Sequence, residues 1–148
     1  MLEAAAFLAR VGDDFSPWSK RCLGRALLFR RRACAQILPG DAFPPAGSRA
    51  LFLACGDVPA GHEVGFNRWY DEEHVPLLAR VPGVLCARRF RARSATLRYV
   101  ALYDLADESV SRAREWQAAR ETEWARRIDR LTESCKWILR TYRAYAPA

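Results

Sequence analysis

No stretch of this 148-residue sequence approaches the roughly 18–20 apolar residues that a membrane-spanning helix needs. The opening Met1-Leu2-Glu3-Ala4-Ala5-Ala6 lacks the basic start and long apolar stretch of a secretory leader, so none is expected. The five cysteines, Cys22, Cys34, Cys55, Cys86 and Cys135, are scattered, odd in number and free of any CxxC pair. That argues against a disulfide framework and against a zinc site, and a reducing cytoplasm is expected, with the thiols acting as small buried apolar groups. No glycine-rich phosphate loop suggests a nucleotide cofactor. The two histidines, His62 and His74, form no His-x-x-x-His pair, and Asp71, Glu72 and Glu73 point in successive directions around a helix. Neither a metal nor a cofactor is expected.

The net charge of +7 raises nucleic acid as a partner. Residues 1–48 hold seven basic and four acidic groups, and the remainder holds 17 and 13. The excess is therefore spread along the chain. Between Arg112 and Arg130 the arginines alternate with acids, as on a solvated helix face. Such a pattern does not track a phosphate backbone, and no nucleic-acid signature accompanies it. Apolar content of 51% with 28% charged residues describes a folded, water-soluble chain.

The sequence divides near residue 48. Pro39-Gly40-Asp41 and Phe43-Pro44-Pro45-Ala46-Gly47-Ser48 read as a turn-rich linker. Before it, Cys22 to Arg32 is basic and partly amphipathic. It reads as an accessory helix, a surface-binding basic helix, or translation from a start codon upstream of the natural one. Residues 1–48 are thus expected to be an extension and 49–148 the folded domain, which should survive deletion of 1–47.

Beyond Ser48 the pattern becomes regular. Ala50 to Cys55 is a continuous apolar run suited to a buried strand. Phe66, Tyr70, His74 and Leu77 form one helical stripe within about His62–Arg80, and Pro76 should kink or end that helix just after His74. Val84 to Ala92 reads as a strand with Val84, Cys86 and Phe90 sharing a face. Leu97, Tyr99, Ala101 and Tyr103 alternate with their neighbours as a second. Asp107 or Ser109 opens another helix, whose buried stripe is Val110, Ala113, Trp116, Trp124, Ile128 and Leu131. Lys136 to Tyr145, rich in Trp, Ile, Thr and Tyr, is the last strand.

The order β-α-β-β-α-β is the split βαβ arrangement. It predicts an α+β fold of the ferredoxin-like kind: a four-stranded antiparallel sheet with both helices on one face. The bare second face would need covering, which two copies packed face to face would do. A homodimer through that face is expected, with Ala101 taken as a central outward-facing position.

Phe66-Asn67-Arg68-Trp69-Tyr70-Asp71-Glu72-Glu73-His74-Val75-Pro76, then Val81-Pro82-Gly83-Val84-Leu85-Cys86-Ala87-Arg88-Arg89-Phe90, resembles the dimeric α+β-barrel superfamily in its EthD-like branch. Tyr99 to Leu105 is similar to the third strand of the same group. The resemblance covers about 49–146. It implies a pocket between sheet and helices. It leaves the chemistry open among cofactor-independent cyclases, decarboxylases and isomerases, quinone-forming monooxygenases and haem proteins.

Tyr70 and His74 lie one helical turn apart and can face one cavity. An imidazole near its usual pKa of about 6.5 exchanges protons at neutral pH, and a phenol beside it can donate to a developing enolate oxygen. His74 as base and Tyr70 as oxyanion donor would suit proton transfer beside a carbonyl. Asn67 and Glu73 are candidates for orienting His74. Phe66, Trp69, Tyr99 and Trp137 would line the site for a flat apolar, aromatic or polyketide-like ligand. Two other readings stand beside this one: a non-catalytic dimeric ligand-binding or structural protein, with His74 hydrogen-bonded in the framework, and a haem protein with His74 as axial ligand.

Overall fold

The computed structural model describes residues 17, 33–40, 43, 45–93 and 96–143. The basic segment Cys22–Arg32 and the final residues 144–148 lie outside them. The chain from Arg32 onward forms one compact unit. Its architecture is α+β and broadly ferredoxin-like, built on one antiparallel sheet with strand order β1-β3-β4-β2-β5. The strands are β1 (Cys34–Leu38), β2 (Ala50–Gly56), β3 (Val84–Ala92), β4 (Tyr99–Leu105) and β5 (Trp137–Arg143).

The sheet has five strands where the sequence pattern predicts four. β1 pairs antiparallel with β3, Cys34 facing Ala92 and Gln36 facing Phe90. It is a short edge strand, and short edge strands carry little alternation because only one side is paired. The basic run before it and Pro39-Gly40 after it concealed the five residues further.

β4 and β2 form the centre, paired from Ala50–Leu105 to Gly56–Tyr99. Along β4, Tyr99, Ala101, Tyr103 and Leu105 are all buried, on the same face as Ala50 and Ala54 of β2. Ala101 therefore points into the core, and Val100 and Leu102 occupy the opposite face. In β3, Leu85 is bulged between the pairs Val84–Leu105 and Cys86–Asp104. An extra residue reverses the alternation. Val84 consequently packs on the core while Cys86 and Phe90 share the other face, and Ala87 and Arg89 turn inward. The opposite face is not free of charge: Arg88 Nη2 lies 2.8 Å from Asp104 Oδ2, both side chains largely buried.

The first helical element is α1 (Glu63–Trp69), a π-helical turn over Tyr70–His74, and α2 (Val75–Ala79). The irregularity thus precedes His74, and the helix runs on past Pro76. The physical cause is the proline. Pro76 has no N–H and its ring crowds the carbonyl four residues back, so an α-helical ladder cannot pass through it unbroken. The wider π turn, with Val75 N–H donating to Tyr70 C=O, shifts the ladder and lets the helix continue. The inserted residue also shifts the stripe. Val75 and Leu78 are buried after the turn, and Leu77 is only half-buried.

The second helical element is broken into a 3-10 turn (Glu108–Arg112), α3 (Arg114–Arg120) and α4 (Glu123–Thr132). Asp107 caps the 3-10 turn by accepting from Ser109 N–H at 2.9 Å. Thr122 caps α4 by accepting from Ala125 N–H at 2.9 Å. Trp116 is fully buried and Ile128 is buried, as their periodicity predicts, with Trp124 and Leu131 packed at the margin. β5 follows and ends at Arg143, so Ala144 and Tyr145 of the expected strand fall outside the described residues.

Two glycines admit close neighbours. A Cβ on Gly56 would stand 2.3 Å from the indole of Trp137, its partner across the ladder. Gly83, at φ +88° in the turn before β3, faces Val110. Asp57, just after β2, accepts from the backbone N–H groups of Leu97 and Arg98 at 2.6 and 2.9 Å. Burial opposes its ionisation, yet these donors and the Arg98 guanidinium hold its carboxyl below the usual value.

Candidate functional site

Three rings meet across the π turn. His74 stacks on Trp69, with centroids 4.2 Å apart at 30°, and meets Tyr70 edge-on at 5.0 Å. Phe66, one turn earlier, packs edge-on against Tyr70 at 5.0 Å. Positions 70 and 74 lie about one turn apart in either an α-helix or a π turn, which brings both rings to one side.

These rings form one wall of a cavity of about 140 Å³. Phe66, Trp69, Tyr70, His74 and Leu78 make that wall. The floor is the inner sheet face at Phe52, Ala54, Tyr103, Trp137 and Leu139. Trp116, Arg120, Ala125, Ile128, Asp129 and Thr132 of the second helical element close the remaining side.

Of the eight residues expected at the site, Phe66, Trp69, Tyr70, His74 and Trp137 border this cavity. Tyr99 is buried against Phe66, with centroids 5.0 Å apart, and does not line it. Asn67 and Glu73 are engaged elsewhere. Asn67 accepts from Arg89 Nη2 at 2.8 Å and donates to Glu63 C=O. Glu73 Oε1 accepts from Trp69 Nε1 at 3.1 Å and from Thr122 Oγ1 at 2.5 Å, which ties the first helical element to the cap of α4. Neither bond involves His74.

The electrostatics of the site differ from the sequence expectation. Burial pushes the His74 imidazolium down to about 3, aided by the nearby charges of Arg120 and Arg89. The imidazole is neutral at physiological pH instead of poised near 6.5, because desolvation and two guanidiniums both oppose a third positive charge. Burial pushes the Tyr70 phenol up to about 12, against the same two arginines, so its O–H stays intact. Tyr103 is pushed up as well, again chiefly by burial.

Two arginines that sequence reasoning did not single out shape this field. Arg89, on β3, is 2% exposed and bonds Asp71 Oδ1 at 2.7 Å. Its guanidinium carbon sits 4.0 Å from the Tyr70 ring centroid, a cation–π contact. Allowing for the bulge at Leu85 would have turned Arg89 inward; strict alternation conceals it. Arg120 is the last residue of α3, half-buried at the cavity edge. Among the described residues it has no ion-pair partner, and Asp129, across the same edge, is exposed and lies beyond ion-pair distance of it. Nothing local in the sequence separates Arg120 from its exposed neighbours on the helix.

Three further groups stand out. Tyr103 Oη, Trp116 Nε1 and Trp137 Nε1 are buried without a hydrogen-bond partner among the described residues and border the cavity; Tyr99 Oη, which does not border it, is a fourth such atom. Buried polar groups are nearly always satisfied, so such a cluster calls for an explanation.

No family model matches the sequence, and no curated protein does. Among solved structures, an ethyl tert-butyl ether d (ethd) family protein from Bacillus halodurans C-125 matches at 15% identity and a TM-score of 0.37. The match covers 62% of this chain and 95% of that one.

Proposed function

We propose that this domain binds a single-ring apolar molecule bearing a hydrogen-bond acceptor, in the cavity between its sheet and its helices. The observation that carries this reading is the set of three buried donors bordering the cavity, on Tyr103, Trp116 and Trp137, that no acceptor reaches among the described residues. Leaving a buried donor unsatisfied costs about 1–3 kcal/mol each, a cost that a bound acceptor removes. The remaining surroundings are aromatic and aliphatic. A cavity of about 140 Å³ compares with the roughly 150 Å³ engineered cavity that accepts benzene, so one ring fills it. Drug-sized ligands occupy roughly 300–1,000 Å³, so a single ring matches this space better than a fused polyketide or a haem.

Binding stands ahead of proton transfer. A group whose conjugate acid has a pKa near 3 is a weak base, far from the operating pH at which general base catalysis is efficient. Neutral His74 and protonated Tyr70 instead present fixed hydrogen-bonding groups beside the ligand. Titration with benzamide and with toluene, followed by the indole N–H resonances of the tryptophans, tests the reading. Benzamide should bind more tightly and shift those resonances. Absence of any shift with either ring would overturn it.

The assembly we propose is a homodimer through the sheet face opposite the helices. That face carries Leu51, Leu53, Phe90, Val100, Leu102 and Ile138, all half-buried within the chain. Leu102→Asp should shift sedimentation at micromolar concentration from dimer toward monomer. A native chain that sediments as monomer would remove the proposal.

A further inference from the structure

The cavity has a charged corner as well as apolar walls. Arg120 borders it, half-buried, with no carboxylate partner among the described residues. A cation in that position without an anion is unusual, since a partly desolvated charge is costly unless paired. Arg89, which is buried nearby, is paired: it holds Asp71 and Asn67. Arg120 lines the cavity while half-buried, and its charge is felt by Tyr70, His74 and Tyr103 around it. Trp116 lies one turn before Arg120 on α3, so an unpartnered indole N–H and an unpaired guanidinium belong to the same wall.

We propose that the ligand is a monocyclic carboxylic acid, bound as its anion, with the ring against Phe52, Phe66 and Ile128 and the carboxylate on Arg120. This rests on the pocket reading above and adds the charge to it. The planar guanidinium matches a carboxylate with two parallel N–H donors, a geometry that an ammonium cannot reproduce. The orphaned indole N–H groups are donors only, and a carboxylate has about four acceptor sites to offer them. Neutral His74 suits an anionic guest too, since it can donate one N–H. Asp129 is the one acid on the lining among the described residues; its carboxylate is exposed, and although its charge is felt at Tyr70, that of Arg120 opposes it there.

Binding of benzoate, benzamide and benzylamine to the full chain separates the possibilities. Calorimetry supplies affinities and tryptophan fluorescence an independent readout. Benzoate should bind at least about tenfold more tightly than its neutral near-isostere benzamide, and the advantage should shrink as salt is raised. Arg120→Gln should remove most of the benzoate advantage while leaving benzamide binding within about threefold. Arg120→Lys, which keeps the charge and loses the fork, should fall between the two, and it serves if the glutamine variant fails to fold. Equal affinity for benzoate and benzamide, or a benzoate preference that survives loss of Arg120, would overturn the assignment of the carboxylate while leaving the pocket intact. Preference for benzylamine would overturn it in favour of Asp129. If none of the three binds, the pocket reading itself fails.

Discussion

His74 makes the stability of this domain depend on pH between about 7 and 5, above the range in which most carboxylates titrate. In the unfolded chain its imidazole titrates near 6.5. In the folded chain burial, Arg120 and Arg89 hold it down to about 3. Between these values the unfolded state binds a proton that the folded state refuses. Unfolding therefore becomes easier as pH falls, with a slope of about 1.4 kcal/mol per pH unit below about pH 6.5. The contribution is fully present above the unfolded value, and is lost progressively as pH drops toward the folded one. From pH 7 to about pH 5 the loss from this one group is about 2 kcal/mol, a large share of the stability of a small domain.

Urea unfolding of the native chain and of His74→Gln, each at pH 7 and near pH 5, measures it. The native midpoint should fall with acid, and the variant's should fall by much less. His74→Phe, which keeps a ring against Trp69, provides a second non-titrating variant. Carboxylates held low by their partners, such as Asp57, respond mainly below about pH 5 and should affect all three chains alike. Equal acid sensitivity in native and variant chains would refute the argument. It would mean that the folded imidazole accepts its proton freely, and that His74 is less desolvated than its contacts with Trp69 and Tyr70 imply.

Gly56→Ala should destabilise the domain by about 1–3 kcal/mol, since the new methyl collides with the Trp137 indole and overpacking costs that much. Thermal unfolding reads this directly, and an unchanged melting temperature would show that the indole moves aside freely. Asp57→Ala should cost about 1–3 kcal/mol in urea unfolding, because the backbone donors of Leu97 and Arg98 lose their acceptor. Deleting residues 1–31 leaves all five strands, whereas deleting 1–47 also removes β1. The longer deletion should melt lower and aggregate more readily, through the newly bared edge of β3.

What the sequence made legible was whatever depends on period. The buried run of Ala50–Cys55, the alternation through Tyr99–Tyr103, and the stripe holding Trp116 and Ile128 repeat at two or near 3.6 residues, so counting finds them. Each departure sits where a single residue breaks the count. Leu85 is bulged, and it exchanges the faces of everything around it in β3, turning Arg89 inward. The π turn over Tyr70–His74 adds a residue to the helix, and moves burial from Leu77 to Leu78. Ala101 was put on the wrong face for a related reason. In a strand apolar on both sides, composition does not say which side is covered, and only pairing to the buried Ala54 settles it.

The polar character of the site was less legible than its walls, and the cause is physical. That Phe66, Trp69, Tyr70, His74 and Trp137 converge was legible from the apolar pattern around them, since each stands on the apolar stripe or strand that the core covers. Charge obeys no such period. Arg120 looks like any arginine of a wet helix until the break at Glu121–Thr122 between α3 and α4 is seen to bring it to the cavity edge. The pKa of His74 could not be read from its neighbours in sequence either. Three acids, Asp71, Glu72 and Glu73, precede it in the chain. Yet Asp71 is bound to Arg89 and Glu73 to Trp69 and Thr122. The charges that act on His74 come instead from β3 and α3, and both are positive. Of these two arginines Arg89 is paired with Asp71, and Arg120, on the cavity lining, is the one whose charge the proposed anionic guest would meet.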